Sequence, residues 1–593
     1  PAEALRRLEL DDNRLHGRAL VAGLRSLPRL TNLQALSLRN CGLNAAAIAS
    51  LAEVTQLAKL TELDLGDNSL GDEGTQALVA ACQSWPQLQV LRLQNLSRAA
   101  AGTICAATQL HGLRSLQLSG HDIGDAAVQI LARASHLAGL TSLALSCSTL
   151  TSVAAAQLVG LTHFANLRNL HPTDRDVFAP WEHLPDNRGV LALQKATHLS
   201  RLQALSFSSG TLDDQGLAVL ASLRHLSEVT SLILANGRFG LAGAKTLADA
   251  PWLASLRRLN LGGAQLPADA AAALLGSPYL AGLQDVRMCT GERLTCAALA
   301  MATQLTALSS LHLCCGPHCD AEALAYAPHL HTVRQLTLSA VGLSDADLAE
   351  LMRTDVVGNL LYLNLKSNAL TSRGIHFLAK ARHVKHLTYL NLYDNKIGDA
   401  GVQALARAPQ LSSLRCLKVS GYKPRYTWED PSLWIDAASI EALSFSPFFR
   451  GLTKLSLRGT NADDEALRSL TNARGLYGLR DLDLRSTTFS NVGLGHLARA
   501  DNLHLLRRLR ISGWGGPSPI GPAGVLALAQ TTNMDRLTSL SLCGAQLSDQ
   551  SALALLDAKG LHKLVYLSYV EDGLSDQVVR RMKGRFSWIE YRL

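Results

Sequence analysis

The densest run of reactive side chains holds Cys314, Cys315, His318 and Cys319, with His312 and Cys289 upstream. Thiolates and imidazoles are the ligands of zinc, which needs four of them in a tetrahedral arrangement. Adjacent Cys314 and Cys315 point in different directions from an extended backbone. Small thiols, buried or at the surface, are the simpler reading, so no metal is expected. Histidines, carboxylates and serines are plentiful, yet no GxxxxGK[ST], HExxH or GxSxG occurs. An active site needs groups that converge where water is excluded. No catalytic residue and no cofactor is expected.

A second constellation suits recognition. Tyr362, Tyr389, Tyr393, Lys418, Lys454, Arg458, Arg485, Arg508 and Arg510 follow one another through the C-terminal half. Tyr422, Tyr426, Trp428 and Trp514 stand nearby in loop-like segments. Tyr, Trp and Arg are favoured at binding hot spots because they join large contact areas to polar tips. An ordinary solvated surface is the competing reading.

The elements that position these residues repeat about every 27 residues, a period that means a solenoid. LTELDLGDNSLGDEGTQALVAACQSWPQ begins at Leu60, and LTYLNLYDNKIGDAGVQALARAPQLSS begins at Leu387. About 21 units follow one another, from Leu5 and Leu33 to Leu537 and Leu564. Each carries L-x-x-L-x-L-x-x-[N or small]-x-L, as in Leu63, Leu65, Asn68 and Leu70. The alternating Leu63 and Leu65 predict a short strand with one buried face. Gly74, Leu78, Val79 and Cys82 then recur at helical spacing. Asp72, Asp125, Asp345, Asp399 and Asp549 stand where an Asp can cap the helix that follows.

This pattern resembles the ribonuclease-inhibitor-like class of leucine-rich repeats, and the resemblance covers essentially the whole chain. It implies an α/β leucine-rich-repeat solenoid, a horseshoe with a parallel sheet on the concave face and helices on the convex face. The family's Asn position matches at Asn13, Asn68, Asn368 and Asn395. His121, Ser148, Gly210, Thr460, Thr487 and others replace it elsewhere, so the side-chain ladder between turns is expected to break in places. The Ala- and Arg-rich repeats are also similar to those of long bacterial leucine-rich-repeat proteins.

One solenoid is expected over 1–593, with loop excursions near 171–189, 421–438 and 513–522 and a C-terminal cap near 577–593. The excursions are rich in Pro and Gly and hold Trp181, Trp428, Trp434 and Trp514. Each starts where a strand ends, so each should leave from the same rim, where it either anchors on neighbouring repeats or joins a binding face. Phe586, Trp588, Ile589 and Tyr591 are expected to cover the open core at the C-terminal end. The chain starts at Pro1 inside the first repeat, so a preceding segment is expected.

Residues alternating with the buried leucines should face the concave side. They are largely acidic early (Arg7, Glu9, Asp11, Asp12, Glu62, Asp64, Asp67), small in the middle (Ser206, Ser231, Ser310, Thr337), and aromatic and cationic from Tyr362 onward. The net charge of +8 and pI near 9.0 make nucleic acid a possible but less favoured partner. A protein or peptide with an acidic surface is preferred. No apolar run approaches the roughly 20 residues of a membrane span, and no membrane partner is expected. Eleven scattered cysteines, without disulfide-rich caps, point to a reducing cytosol. The expected function is a non-catalytic cytosolic recognition scaffold. The alternative is the sensor or substrate-recognition half of a larger immune-type receptor or effector enzyme.

Overall fold

The computed structural model describes residues 5–11, 17–25, 30–120, 123–146, 152–171, 187–207, 212–264, 266–289, 295–314, 316, 320–420, 434–512 and 520–586. Among these, strands numbered in chain order run from β1 (Arg7–Glu9) to β21 (Tyr566–Ser568). Helices run from α1 (Gly17–Arg25) to α21 (Asp576–Arg585), one after each strand. Short 3-10 segments close most repeats. The chain forms two compact units, Pro1–Met288 and Cys289–Leu593. Within each, successive strands pair in parallel, with leucine opposite leucine. In unit 1 Leu36 faces Leu63 and Leu63 faces Leu91. In unit 2 the row runs from Leu336 through Leu363, Leu390, Leu417, Leu455 and Leu482 to Leu509. The sheet lies on one side of each repeat and the helices on the other, as in a leucine-rich-repeat solenoid.

The period-two alternation does what the sequence predicts. Leu63, Leu65, Leu363 and Leu365 have no solvent exposure, while Tyr362 and Asn364 between them stay partly exposed. The helix contributes the opposite wall: in α14 (Ser372–Lys380), Gly374, Ile375, Leu378 and Ala379 turn inward. Full burial of each such Leu or Ile stabilises by about 1.5–3 kcal/mol. Their repetition makes one continuous apolar layer per unit.

Between strand and helix, Asn side chains satisfy backbone groups that the turn leaves unpaired. The Asn68 amide donates to Leu38 O (2.7 Å) and Leu65 O (3.0 Å), while its oxygen accepts from the N–H groups of Cys41 and Leu43. Asn368 and Asn395 do the same one repeat back. Where Thr460 and Thr487 replace Asn, the hydroxyl donates only within its own turn, to Leu457 O and Leu484 O. The ladder is broken there. Asn13, His121, Ser148 and Gly210 lie outside the described residues.

The aspartates behave differently from the sequence expectation. Asp72, Asp345, Asp399 and Asp549 each sit in the first turn of a helix and bond to the start of the helix one repeat later. Asp345 accepts from Thr371 N (2.9 Å), Asp399 from Asp436 N (2.9 Å) and Asp549 from Ser575 N (2.9 Å). Own-helix capping falls instead to Ser97, Ser344, Thr371, Asp463, Ser490 and Ser548. The physical reason is lateral stacking: adjacent helix N-termini lie side by side, and a carboxylate between them meets the partial positive charge of both.

The loop excursions, apart from short flanks, and the terminal Trp588, Ile589 and Tyr591 lie outside the described residues. The last helix, α21 (Asp576–Arg585), lies at the expected C-terminal cap, and Phe586 beyond it is buried. Against the expectation of a reducing cytosol, Cys296 is disulfide-bonded. No helix among the described residues is long and apolar enough to cross a membrane.

Candidate recognition surface

The sheet face away from the helices carries rows of side chains that run across the strands. In unit 2 one row follows the first strand position through β14 (Tyr362–Asn364), β15 (Tyr389–Asn391), β16 (Cys416–Lys418), β17 (Lys454–Ser456), β18 (Asp481–Arg485) and β19 (Arg508–Ser512). Its members are Tyr362, Tyr389, Cys416, Lys454, Asp481 and Arg508. A second row runs Asn364, Asn391, Lys418, Ser456, Asp483 and Arg510. Parallel strands lie about 4.8 Å apart, so neighbours in a row touch.

Tyr362 and Tyr389 stack with centroids 4.0 Å apart and planes 11° from parallel. Lys418 Nζ lies 5.4 Å from the Tyr389 ring. Tyr393 receives two cations, Lys366 at 5.6 Å and Arg458 at 5.8 Å from its centroid. Cations over aromatic faces are attracted by the ring quadrupole while keeping their charge available. Burial, and then the neighbouring Tyr389 hydroxyl, holds the Tyr362 phenol above its usual range. Burial raises Tyr389 likewise. Both rings therefore stay neutral at physiological pH.

Along β18 and β19 the cations are already engaged. Arg485 grips Asp483 through two bonds of 2.9 and 2.7 Å. Arg508 lies 2.8 Å from Asp481, and Arg510 spans Asp481 and Asp483 at 3.3 and 3.7 Å. Asp481 and Asp483 are the residues that sequence reasoning left out. They occupy the same alternating positions as Arg485, Arg508 and Arg510, so counting carboxylates beside cations would have found them. By contrast, Lys366, Lys418, Lys454 and Arg458 make no salt bridge among the described residues. Unpaired positive charge thus concentrates over β14–β17. Tyr422, Tyr426, Trp428 and Trp514 lie outside the described residues, while Trp434 is described and exposed.

The acidic strip expected in unit 1 is largely self-neutralised. Arg7 and Arg92 both bind Glu62, at 2.6 and 2.5 Å, and Arg39 binds Asp67 at 2.7 Å. Arg39 and Arg92 had no place in the sequence reading. Asp64, largely buried, has its carboxyl raised by desolvation.

Of the cysteine–histidine cluster, Cys315, His318 and Cys319 lie outside the described residues. His312 bonds to Ser310 Oγ (2.8 Å) and Thr337 Oγ1 (3.0 Å) on the open face. Among the described residues no group of three or more His, Cys, Asp or Glu is placed to hold a metal ion.

A family model described as Leucine Rich repeat matches residues 56–79, 110–132 and 383–406. Ribonuclease inhibitor of Sus scrofa is 35% identical over 132 residues, covering 21% of this chain and 28% of that protein. The chain is a leucine-rich-repeat protein of the ribonuclease-inhibitor-like class. NACHT, LRR and PYD domains-containing protein 3 of Homo sapiens is 32% identical to this leucine-rich-repeat protein over 132 residues, 21% of this chain and 12% of that protein. The matches thus span under a third of either relative's length. A solved TLR13–ssRNA13 complex shares 17% identity, covering 95% of this chain and 78% of that one at a TM-score of 0.41. Nothing beyond that likeness follows from it.

Proposed function

We propose that this leucine-rich-repeat protein is a non-catalytic recognition scaffold that holds an acidic protein partner on the open sheet face of unit 2. The observation that carries the reading is the set of four cations, Lys366, Lys418, Lys454 and Arg458, that make no salt bridge among the described residues and are interleaved with Tyr362, Tyr389 and Tyr393. Such a surface offers rigid apolar contact and a field that steers carboxylates toward it. Tyr422, Tyr426, Trp428 and Trp514 join the reading from sequence as rim contacts. Arg485, Arg508 and Arg510 contribute as a pre-formed lattice with Asp481 and Asp483 rather than as open charges.

A second role, as the sensor part of a larger immune-type receptor, draws on the similarity to a protein whose printed name includes NACHT and PYD domains. A bacterial origin draws only on the Ala- and Arg-rich repeats. The cytosolic placement draws on Cys41, Cys82, Cys105, Cys289, Cys314, Cys416 and Cys543, none of which is disulfide-bonded. The disulfide at Cys296 stands against that placement.

The test is quantitative capture from native lysate, comparing the parent with Tyr393→Ala/Lys418→Ala/Arg458→Ala at two salt concentrations. The expected result is an acidic protein retained by the parent, weakened at high salt and lost with the variant. Loss of about 1–4 kcal/mol lies in the hot-spot range. Ser206→Ala/Ser231→Ala, on the small-residue stretch of unit 1, should leave capture unchanged. Retention of nuclease-sensitive material alone would instead select nucleic acid.

A further inference from the structure

Cys289 ends β11 (Asp285–Cys289) and Cys314 ends β12 (Ser310–Cys314), equivalent positions of consecutive repeats. Their sulfur atoms lie 3.4 Å apart, and neither residue is disulfide-bonded. Both are partly exposed on the open face, in strands whose buried leucines and Met288 point the other way. We infer that Cys289 and Cys314 form a dithiol modification site that takes a small-molecule disulfide and closes into a cross-strand bond.

The geometry favours closure. Adjacent parallel strands lie about 4.8 Å apart, inside the roughly 4.4–6.8 Å Cα separation that a disulfide spans. The two sulfurs need approach each other only from 3.4 Å to the bonded distance of about 2.0 Å, through side-chain rotation. In the first step one cysteine thiolate attacks a sulfur of the small disulfide, forming a mixed disulfide and releasing one small thiolate. In the second step the other cysteine thiolate attacks the protein-side sulfur of that mixed disulfide. The protein disulfide forms as the second small thiolate leaves. Two protein thiols are oxidised, one small disulfide is reduced to two thiols, and the two protons pass to the leaving groups.

The rest of the chain supplies internal comparisons. Cys543 is also partly exposed on the open face, but its polar neighbours are hydroxyls: Ser568 Oγ at 3.2 Å and Ser541 Oγ at 3.5 Å. With no described thiol beside it, Cys543 should stop at the mixed disulfide. Cys82 and Cys105 are buried, and burial pushes both thiols up to about 12. A thiol so protonated is a poor nucleophile at neutral pH, so these two should stay unmodified.

The experiment treats the full chain with glutathione disulfide at neutral pH, blocks remaining thiols, and maps tryptic peptides by mass spectrometry without reduction. Cleavage after Arg287, Arg293 and Arg334 isolates Cys289 in 288–293 and places Cys314 in 294–334. The expected product links these two peptides and carries no glutathione on Cys289, while Cys543 carries glutathione. Cys314→Ser should abolish the link and leave Cys289 glutathionylated. Cys315→Ser and Cys319→Ser should leave the link intact. A link that survives Cys314→Ser, or Cys289 stopping at the mixed disulfide in the parent, or no reaction at Cys289, overturns the inference. Circular dichroism of each variant checks that folding is unchanged. Capture of a protein partner plays no part in this readout, so the outcome is independent of the proposed recognition role.

Discussion

Two alanine substitutions in one helix should change stability in opposite directions. In α18 (Asn491–Ala498), Gly493 and Gly495 are both buried. A Cβ built on Gly493 meets Asp464 Oδ1 at 2.6 Å, with Leu467 Cδ1 and Phe489 Cβ each at 3.0 Å. A Cβ on Gly495 meets nothing within 4 Å. The Asp464 carboxylate cannot retreat freely. It accepts from Ser490 N (2.8 Å), Ser490 Oγ (2.7 Å) and Gly493 N (2.7 Å). Gly493→Ala therefore forces either overpacking, which costs about 1–3 kcal/mol, or loss of charge-assisted bonds worth about 1.5–3 kcal/mol each. Against this, Ala gains about 1 kcal/mol over Gly in a helix. With one such bond lost, a net loss of about 0.5–2 kcal/mol follows. Gly495→Ala meets no obstacle and should stabilise by about 0.5–1 kcal/mol. Urea unfolding followed by circular dichroism reads both, with midpoints compared at equal slope. Adding Asp464→Ala to Gly493→Ala should make the alanine less costly, because the obstructing carboxylate is gone. If Gly493→Ala is neutral or stabilising, the carboxylate bridge between successive helices is misassigned.

Acid should weaken unit 1 through its histidines. Burial lowers the imidazoles of His136, His163, His198 and His225, and Nε2 of His225 is buried without a hydrogen-bond partner among the described residues. Above the unfolded value of about 6.5 both states are neutral and no penalty exists. As pH falls below that value the unfolded chain takes up protons first, so stability declines until the lower folded values are reached. Melting temperatures from pH 7.5 to 5 should fall, and His163→Gln/His198→Gln should flatten the slope; an equal slope refutes the mechanism. In unit 2, Leu365→Asp places a charge at a site with no solvent exposure. It should destabilise by several kcal/mol, about 3–5 by analogy with uncompensated buried charges. A variant that melts like the parent would show that the strand register there is wrong.

How far the sequence could be read depended on whether an interaction stays within one repeat. Leu363 and Leu365 alternate along a single strand, so their burial follows from period two alone. The Asn68 contacts cross to the preceding repeat and were legible only because the repeat motif marks that Asn. Interactions between repeats were harder to see. Asp464 looks like a helix cap in one dimension, but its partners are Ser490 and Gly493 of the next repeat. The Gly at that helix position packs against a carboxylate of the preceding repeat at Gly243, Gly374 and Gly493, whereas Gly74 and Gly401, in GDEG and GDAG, meet Leu70 and Ile397 instead. The candidate surface shows the same pattern. Arg485, Arg508 and Arg510 read as open cations along the chain, but strand pairing sets Asp481 opposite Arg508 and Asp483 opposite Arg510. Cys289 and Cys314 were legible as neighbours because they share one repeat position.

The central claim is that a partner seats on the cations of β14–β17, and lysine footprinting measures this directly. The protein, alone and with its captured partner, is labelled briefly with an amine-reactive ester, and labelling is quantified at each lysine. The account predicts that Lys366, Lys418 and Lys454 lose reactivity together in the complex. Lys59 and Lys245, in unit 1, should label as before. Protection at Lys59 or Lys245 with Lys418 and Lys454 still fully reactive would contradict it.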